Sequence, residues 1–169
     1  MKKIMIVAIS FLLLAACQKE SISEKRPQAE APSKMYLTRP ISNRIQSDPD
    51  PNPRSVYGGS LFYGNMTHLG TVHGKVVNTS FTTISAGVFS ITSEDIAYTL
   101  NGDELWTKGE IVISFPTDGS TIATITGGST IVGGTGRFAG ANGYFVYENM
   151  VYDIVTGHES HTSNGEINY

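Results

Sequence analysis

The 169-residue chain holds one cysteine and one tryptophan, and only 16% of its residues are charged. A single thiol excludes an internal disulfide framework and any cysteine-rich zinc site. Twelve Lys and Arg stand against 15 Asp and Glu, a formal net charge of −3. That balance argues against a nucleic-acid partner, which needs a basic face. The apolar run Ile4 to Ala16 falls short of the ~20 residues that a spanning helix requires. Glycine and proline are each missing from one part of the chain: all 18 glycines lie after residue 54, and six of the seven prolines lie before it. The length suits one domain with a tail.

Lys2 and Lys3 followed by an apolar run have the layout of a secretory signal peptide. The end of that run, Leu14-Ala15-Ala16-Cys17, resembles the lipobox of bacterial lipoproteins. The resemblance implies a signal peptide over 1–16, cleavage before Cys17, a diacylglyceryl group on its thiol and an acyl chain such as palmitate on its new amine. Several chains anchor stably where one does not. The plain alternative is an ordinary cleaved signal with a chance cysteine. Gln18, in place of an Asp that would hold many lipoproteins at the inner membrane, favours the outer membrane. Cys17-Gln18-Lys19-Glu20 is also similar to the short export signals of Bacteroidetes surface lipoproteins. The expected location is the bacterial cell envelope, as an outer-membrane lipoprotein facing the periplasm or the surface.

Residues 17–34 are then the lipidated cysteine and a polar, disordered tether. Residues 35–54 offer a first strand and a loop: Met35, Leu37, Ile41 and Ile45 can dress the strand, and Pro40 restricts it to an edge or a bulge. Residues 55–169 form the main domain. They carry three basic and ten acidic groups, a net −7, so this part should repel nucleic acid and anionic headgroups. Sixteen threonines and an apolar set rich in β-branched and aromatic residues favour strands. Short runs recur at 57–63, 69–77, 81–91, 96–100, 110–115, 121–126, 143–152 and 165–169. Asn101-Gly102-Asp103, Asp118-Gly119 and Asn164-Gly165 read as hairpin turns. The pattern predicts an all-β antiparallel barrel or sandwich. In 143–152, strict alternation puts Phe145, Tyr147 and Val151 on one face and Tyr144, Val146, Met150 and Tyr152 on the other. A transmembrane pore would need a continuous lipid-facing apolar band, which these strands lack.

Residues 133–145 read GGTGRFAGANGYF. Gly133, Gly134, Thr135, Gly136, Phe138, Ala141 and Gly143 match a segment that resembles the allene oxide cyclase and dirigent proteins of plants and bacterial proteins with the same barrel. Gly64 to Gly70 and Asn101 to Leu105 are similar to further parts of the bacterial members. The resemblance covers about 57–169. It implies an antiparallel eight-stranded calycin-like β-barrel with an apolar cavity, and a homo-oligomer as in the plant proteins. The residues themselves suit a tight corner, since glycine accepts positive φ, and Phe138 would plug one barrel end. A phosphate loop is the rival reading, but no Lys-Ser/Thr and no helix follow. Arg137 is expected to pair with Glu148 or Asp153.

Other chemistry is weighed against plainer roles. His158 and His161 lie three apart, and His68 and His73 five apart, so each pair splits across a strand's faces; solvated turn histidines are the default over a zinc site. Glu94-Asp95 and Asp103-Glu104 read as solvated loop tips, with weak calcium binding or sugar chemistry as the alternative. Trp106 reads as barrel packing rather than a sugar platform. No G-x-S-x-G elbow is present, and no cofactor and no metal is expected. Three functions remain: a binding or scaffold module for a small apolar or aromatic ligand, an isomerase or cyclase acting on such a molecule, and a structural or adhesion module with a filled barrel. The cyclase would need a buried carboxylate or histidine beside the cavity. Replacing the lipobox thiol (Cys17→Ser) is expected to abolish incorporation of labelled palmitate and to move the protein from the membrane fraction to the soluble fraction; unchanged labelling refutes the anchor.

Overall fold

The computed structural model describes residues 37–169, so the signal peptide, Cys17 and the tether lie outside the described residues. Eight strands follow in order: β1 (Thr38–Pro49), β2 (Gly59–Met66), β3 (Gly70–Ser85), β4 (Val88–Thr99), β5 (Glu104–Ser114), β6 (Ile122–Gly134), β7 (Asn142–Asp153) and β8 (Glu159–Asn168). Each pairs antiparallel with the next, and β8 pairs with β1, so the sheet closes into a barrel. The described residues contain no helix beyond a single 3-10 turn, Gly136–Phe138. Closure gives every strand a partner on both sides over most of its length, which is how an up-and-down barrel limits edge-to-edge association.

The barrel begins at Thr38, well before residue 55. β1 supplies a full stave, with Ile41, Asn43, Ile45 and Ser47 buried and Ser42, Arg44, Gln46 and Asp48 exposed. Pro40 is accommodated because pairing with β2 starts only at Asn43↔Met66. At Pro40 the strand is bonded on the β8 side alone, so a missing N–H leaves no β2 bond unmade.

Three local expectations change on folding. The run 81–91 is not one strand: Ala86-Gly87 turns the chain between β3 and β4, with Gly87 at φ +74°. Asn164-Gly165 is not a turn but lies inside β8. Gly165 is there for close approach, since a Cβ would run into the backbone carbonyl of Tyr144. In β7, strict alternation fails at Asn149, which has φ +50° and inserts one residue relative to both neighbours. Such a bulge shifts the side-chain parity. Phe145, Tyr147, Met150 and Tyr152 therefore share the inner side, and Val151 points out.

The interior has two apolar ends. One cluster gathers Ile41, Ile45, Phe62, Met66, Leu69, Val72, Leu105, Ile131, Phe138, Ala141, Phe145 and Ile167. It seals the end where the 3-10 turn lies, and Tyr169 packs on Phe138 at 5.1 Å between ring centres. The second cluster is Ile113, Ala123, Ile125 and Met150, backed by Phe89, Ile91, Ile111 and Phe115 near the opposite end. Beyond Val77, β3 has lost its β2 partner and pairs with β4 alone.

The corner motif is held by the β4–β5 hairpin. Thr135 Oγ1 accepts the Glu104 N–H at 2.9 Å, and the Thr135 N–H donates to the Glu104 carbonyl at 3.0 Å. Gly136 has φ +55°, and any Cβ there would strike the Asp103 carboxylate. Arg137 pairs with Asp103 at 3.5 Å, not with Glu148 or Asp153. Asp103 and Glu104 are thus part of the corner rather than a solvated tip. Gly133 and Gly134 close β6, Ala141 is buried, and Gly143 opens β7 against the Glu166 carbonyl. Phe138 is fully buried. Phe138→Ala is expected to lower the unfolding free energy by about 3–5 kcal/mol, read by urea denaturation, whereas Phe81→Ala at the exposed β3 hairpin should cost far less.

Candidate functional site

Between the two apolar ends lies a cavity of about 350 Å³. That volume is at the lower end of small-molecule sites. Inward positions from all eight strands line it. Tyr57 and Phe81, exposed at the surface, and the half-buried Phe115 and Tyr152 are among its lining residues. Small inward residues let larger neighbours pack around the cavity. Gly74 and Ala97 face each other across β3 and β4, and a Cβ at Gly74 would overlap the Phe62 ring. Gly109 does the same for polar groups: a Cβ there would fall 2.4 Å from Ser93 Oγ, 3.3 Å from Ser129 Oγ and 3.5 Å from Asp95 Oδ2.

These polar groups form a belt around the middle of the cavity. Asp95 on β4 is 9% exposed and accepts the Thr107 hydroxyl on Oδ2 at 3.0 Å. Ser129 on β6 and Tyr147 on β7 share a hydrogen bond of 2.5 Å between their oxygens. The Tyr147 ring meets the His161 ring edge-on at 4.8 Å. His161 Nδ1 lies 3.6 Å from Glu159 Oε1, and Ser47 donates to that same oxygen at 3.3 Å. Asn43 Nδ2 donates to Ser163 Oγ at 2.9 Å.

Burial dominates the electrostatics. Desolvation raises the Asp95 carboxyl from 3.8 to about 6, against hydrogen bonds from Ser93 and Thr107 and the His161 imidazole, which favour the charged form. The Glu159 charge pushes in the same direction as burial. Tyr147 is held far above the usual phenol range, chiefly by burial and then by the Asp95 charge. A carboxyl raised to about 6 beside a phenol that keeps its proton can donate or accept a proton on a bound molecule.

The residues singled out in the sequence fall into different places. The corner residues Gly133, Gly134, Thr135, Gly136, Phe138, Ala141 and Gly143 lie outside the cavity lining. His158 is on the outer side, 2.9 Å from Asp48. His68 sits in the β2–β3 turn at φ +69°, its Nε2 2.9 Å from the Pro40 carbonyl, and His73 stacks on Tyr98 at the surface. His161, in contrast, is buried in the belt rather than solvated, its side chain 10% exposed. Glu94 and Asp95 also part company. Glu94 pairs with Lys108 outside at 3.4 Å, and Asp95 turns in. Trp106 lies on the outer face and donates to Glu104 at 2.7 Å.

Asp95 and His161 were missed for a definite reason. Ile96 and Tyr98 suggest that the even face of β4 is inward, but Ala97 is the residue that fits beside the Phe62 ring. The available signal was the alternation Ser93, Asp95, Ala97, Thr99, small or polar throughout. Among the described residues no three His, Cys, Asp or Glu side chains converge as a metal's ligands would.

No protein-family model matches the chain, and no curated protein is detectably similar to it.

Asp95 binds a proton more tightly when folded than when unfolded. Its contribution is therefore fully present below about pH 4 and is lost as the pH rises through about 6. The loss amounts to about 3 kcal/mol at 1.36 kcal/mol per unit. Asp95→Asn should remove this descent: the stability difference, variant minus wild type, is expected to grow between pH 4 and pH 7 in urea titrations and then level off. A flat difference would show that Asp95 does not titrate in that window.

Proposed function

We propose that this barrel is a ligand-binding module of the cell envelope, taking a small molecule with an apolar body and one hydrogen-bonding group. The observation that carries the reading is the cavity itself: aliphatic and aromatic walls above and below, and a narrow belt of buried polar groups between. Apolar walls give affinity, and a few fixed polar groups give orientation. The space weighs against a structural module filled by its own side chains. The lipobox-like run ending at Cys17 supports attachment to a membrane by lipid rather than by the barrel wall, because the outward residues of β1 and β8, among them Arg44, Gln46, Asn164 and Glu166, are polar and exposed and unsuited to a lipid-facing band. The up-and-down order of eight strands, with a glycine corner between β6 and β7, supports kinship with the calycin-like barrels of the allene oxide cyclase and dirigent type.

Asp95 favours a second reading, an isomerase or cyclase. A carboxyl poised near neutrality beside a phenol suits proton transfer on a hydrophobic substrate. Binding is common to both readings and is the first thing to test.

N-phenyl-1-naphthylamine, an uncharged probe that brightens in apolar surroundings, is expected to bind with saturable fluorescence. Ile91 is half-buried and lines the cavity, so Ile91→Trp should narrow the space and weaken probe binding at least about tenfold. Wild type and variant should melt within a few degrees of each other. Equal binding by the two, or none by the wild type, would remove the cavity as the site.

A further inference from the structure

The belt of polar groups is unbalanced in both hydrogen bonding and charge. Thr107 donates to Asp95 Oδ2, Asn43 Nδ2 to Ser163 and Ser47 to Glu159, while Ser129 and Tyr147 share one hydrogen bond and the Ser93 hydroxyl lies on the Asp95 side. Three buried atoms of cavity-lining residues have no partner among the described residues: Asn43 Oδ1, Asp95 Oδ1 and His161 Nδ1. The first is an acceptor only, and so is the second when Asp95 is ionised.

The charges point the same way. Asp95 and Glu159 line the cavity, and among the described residues no Lys or Arg does. The cations are committed elsewhere. Arg39 donates to Tyr169 at the sealed end at 2.7 Å. Lys75 pairs with Asp50, Lys108 with Glu94 and Arg137 with Asp103. Arg44 and Arg54 are exposed. Even with His161 protonated, two carboxylates leave the belt at a net −1. A buried carboxylate without a cation is costly, and a cation that completes it recovers much of that cost.

Taking the cavity as a ligand site, we propose that its ligand is a small apolar molecule bearing a protonated amine. The ammonium donates to Asp95 Oδ1, and the apolar body lies against Ile91, Ile111, Ile113 and Met150. An ammonium brings three donors and no acceptor, which is what the belt lacks. The face of the Tyr147 ring adds attraction for a cation. A fatty acid or any other carboxylate would set its anion beside Asp95 and Glu159 and is disfavoured.

The test uses three molecules with one body: 4-phenylbutylamine, 4-phenylbutan-1-ol and 4-phenylbutanoate, each displacing N-phenyl-1-naphthylamine at pH 7.5. There the amine is protonated and the acid ionised. The amine is expected to displace the probe at a concentration at least about tenfold below that of the alcohol, the size of one charge-assisted hydrogen bond, and the carboxylate should be weakest. Asp95→Asn should bring amine and alcohol within about threefold of each other, and Glu94→Gln, on the outer face, should keep the wild-type ranking. A carboxylate that equals or beats the amine, or an amine advantage that survives Asp95→Asn, overturns the proposal and leaves the ligand site standing. Failure of the probe itself to bind the wild type overturns the ligand site and this proposal together. Should Asp95→Asn not fold, the wild-type ranking of the three molecules decides the matter.

Discussion

Everything in this molecule depends on β1 finding β8. The pairing runs from Thr38↔Asn168 to Ser47↔Glu159, and it joins residues more than a hundred positions apart in the chain. Until it forms, β1 and β8 each expose a row of unmade backbone hydrogen bonds. Once it forms, strand number fixes the width. Eight strands enclose an interior that side chains can just fill, or that can hold one small ligand. Which of these results is then decided by a few inward residues. Phe62, Leu105, Phe138 and Ile167 fill one end, whereas Ser93, Ala97 and Ser129, small residues of the cavity lining, withhold volume from the middle.

The withheld volume is where the polar side chains sit. Asp95, Tyr147, Glu159 and His161 come from three different strands and meet in a region walled by aliphatic groups. Burying a carboxylate there opposes folding, and a core of the same size made of leucine would be more stable. Local rules of barrel construction are broken together at this one place: an acid faces inward, a glycine faces inward, and three polar atoms go without protein partners. Violations concentrated at one point are the ground on which a binding site is proposed there.

The corner motif does a different task. Gly136 leaves room for the Asp103 carboxylate, Thr135 bonds both backbone groups of Glu104, and Arg137 closes over Asp103. Two neighbouring connections are thereby clamped together at the sealed end, with Phe138 driven inward beneath them. This explains how a resemblance can be carried by the most recognisable segment of the chain and yet name no pocket residue. The segment keeps the far end shut, and the cavity lies beyond it.

The sequence by itself determined the strand character of the chain, the glycine-rich corner and two of the hairpin turns, at Asn101-Gly102-Asp103 and Asp118-Gly119, because these follow from β-branched composition, positive-φ residues and local turns. Only the tertiary structure decided that β1 belongs to the barrel, that Asn164-Gly165 continues a strand, and that a bulge at Asn149 turns Met150 and Tyr152 inward. It alone placed Asp95 and His161 in the cavity. Alternation along one strand gives two faces but does not say which is inside; that choice is made by the volumes on the neighbouring strands, and those strands meet only when the ring closes.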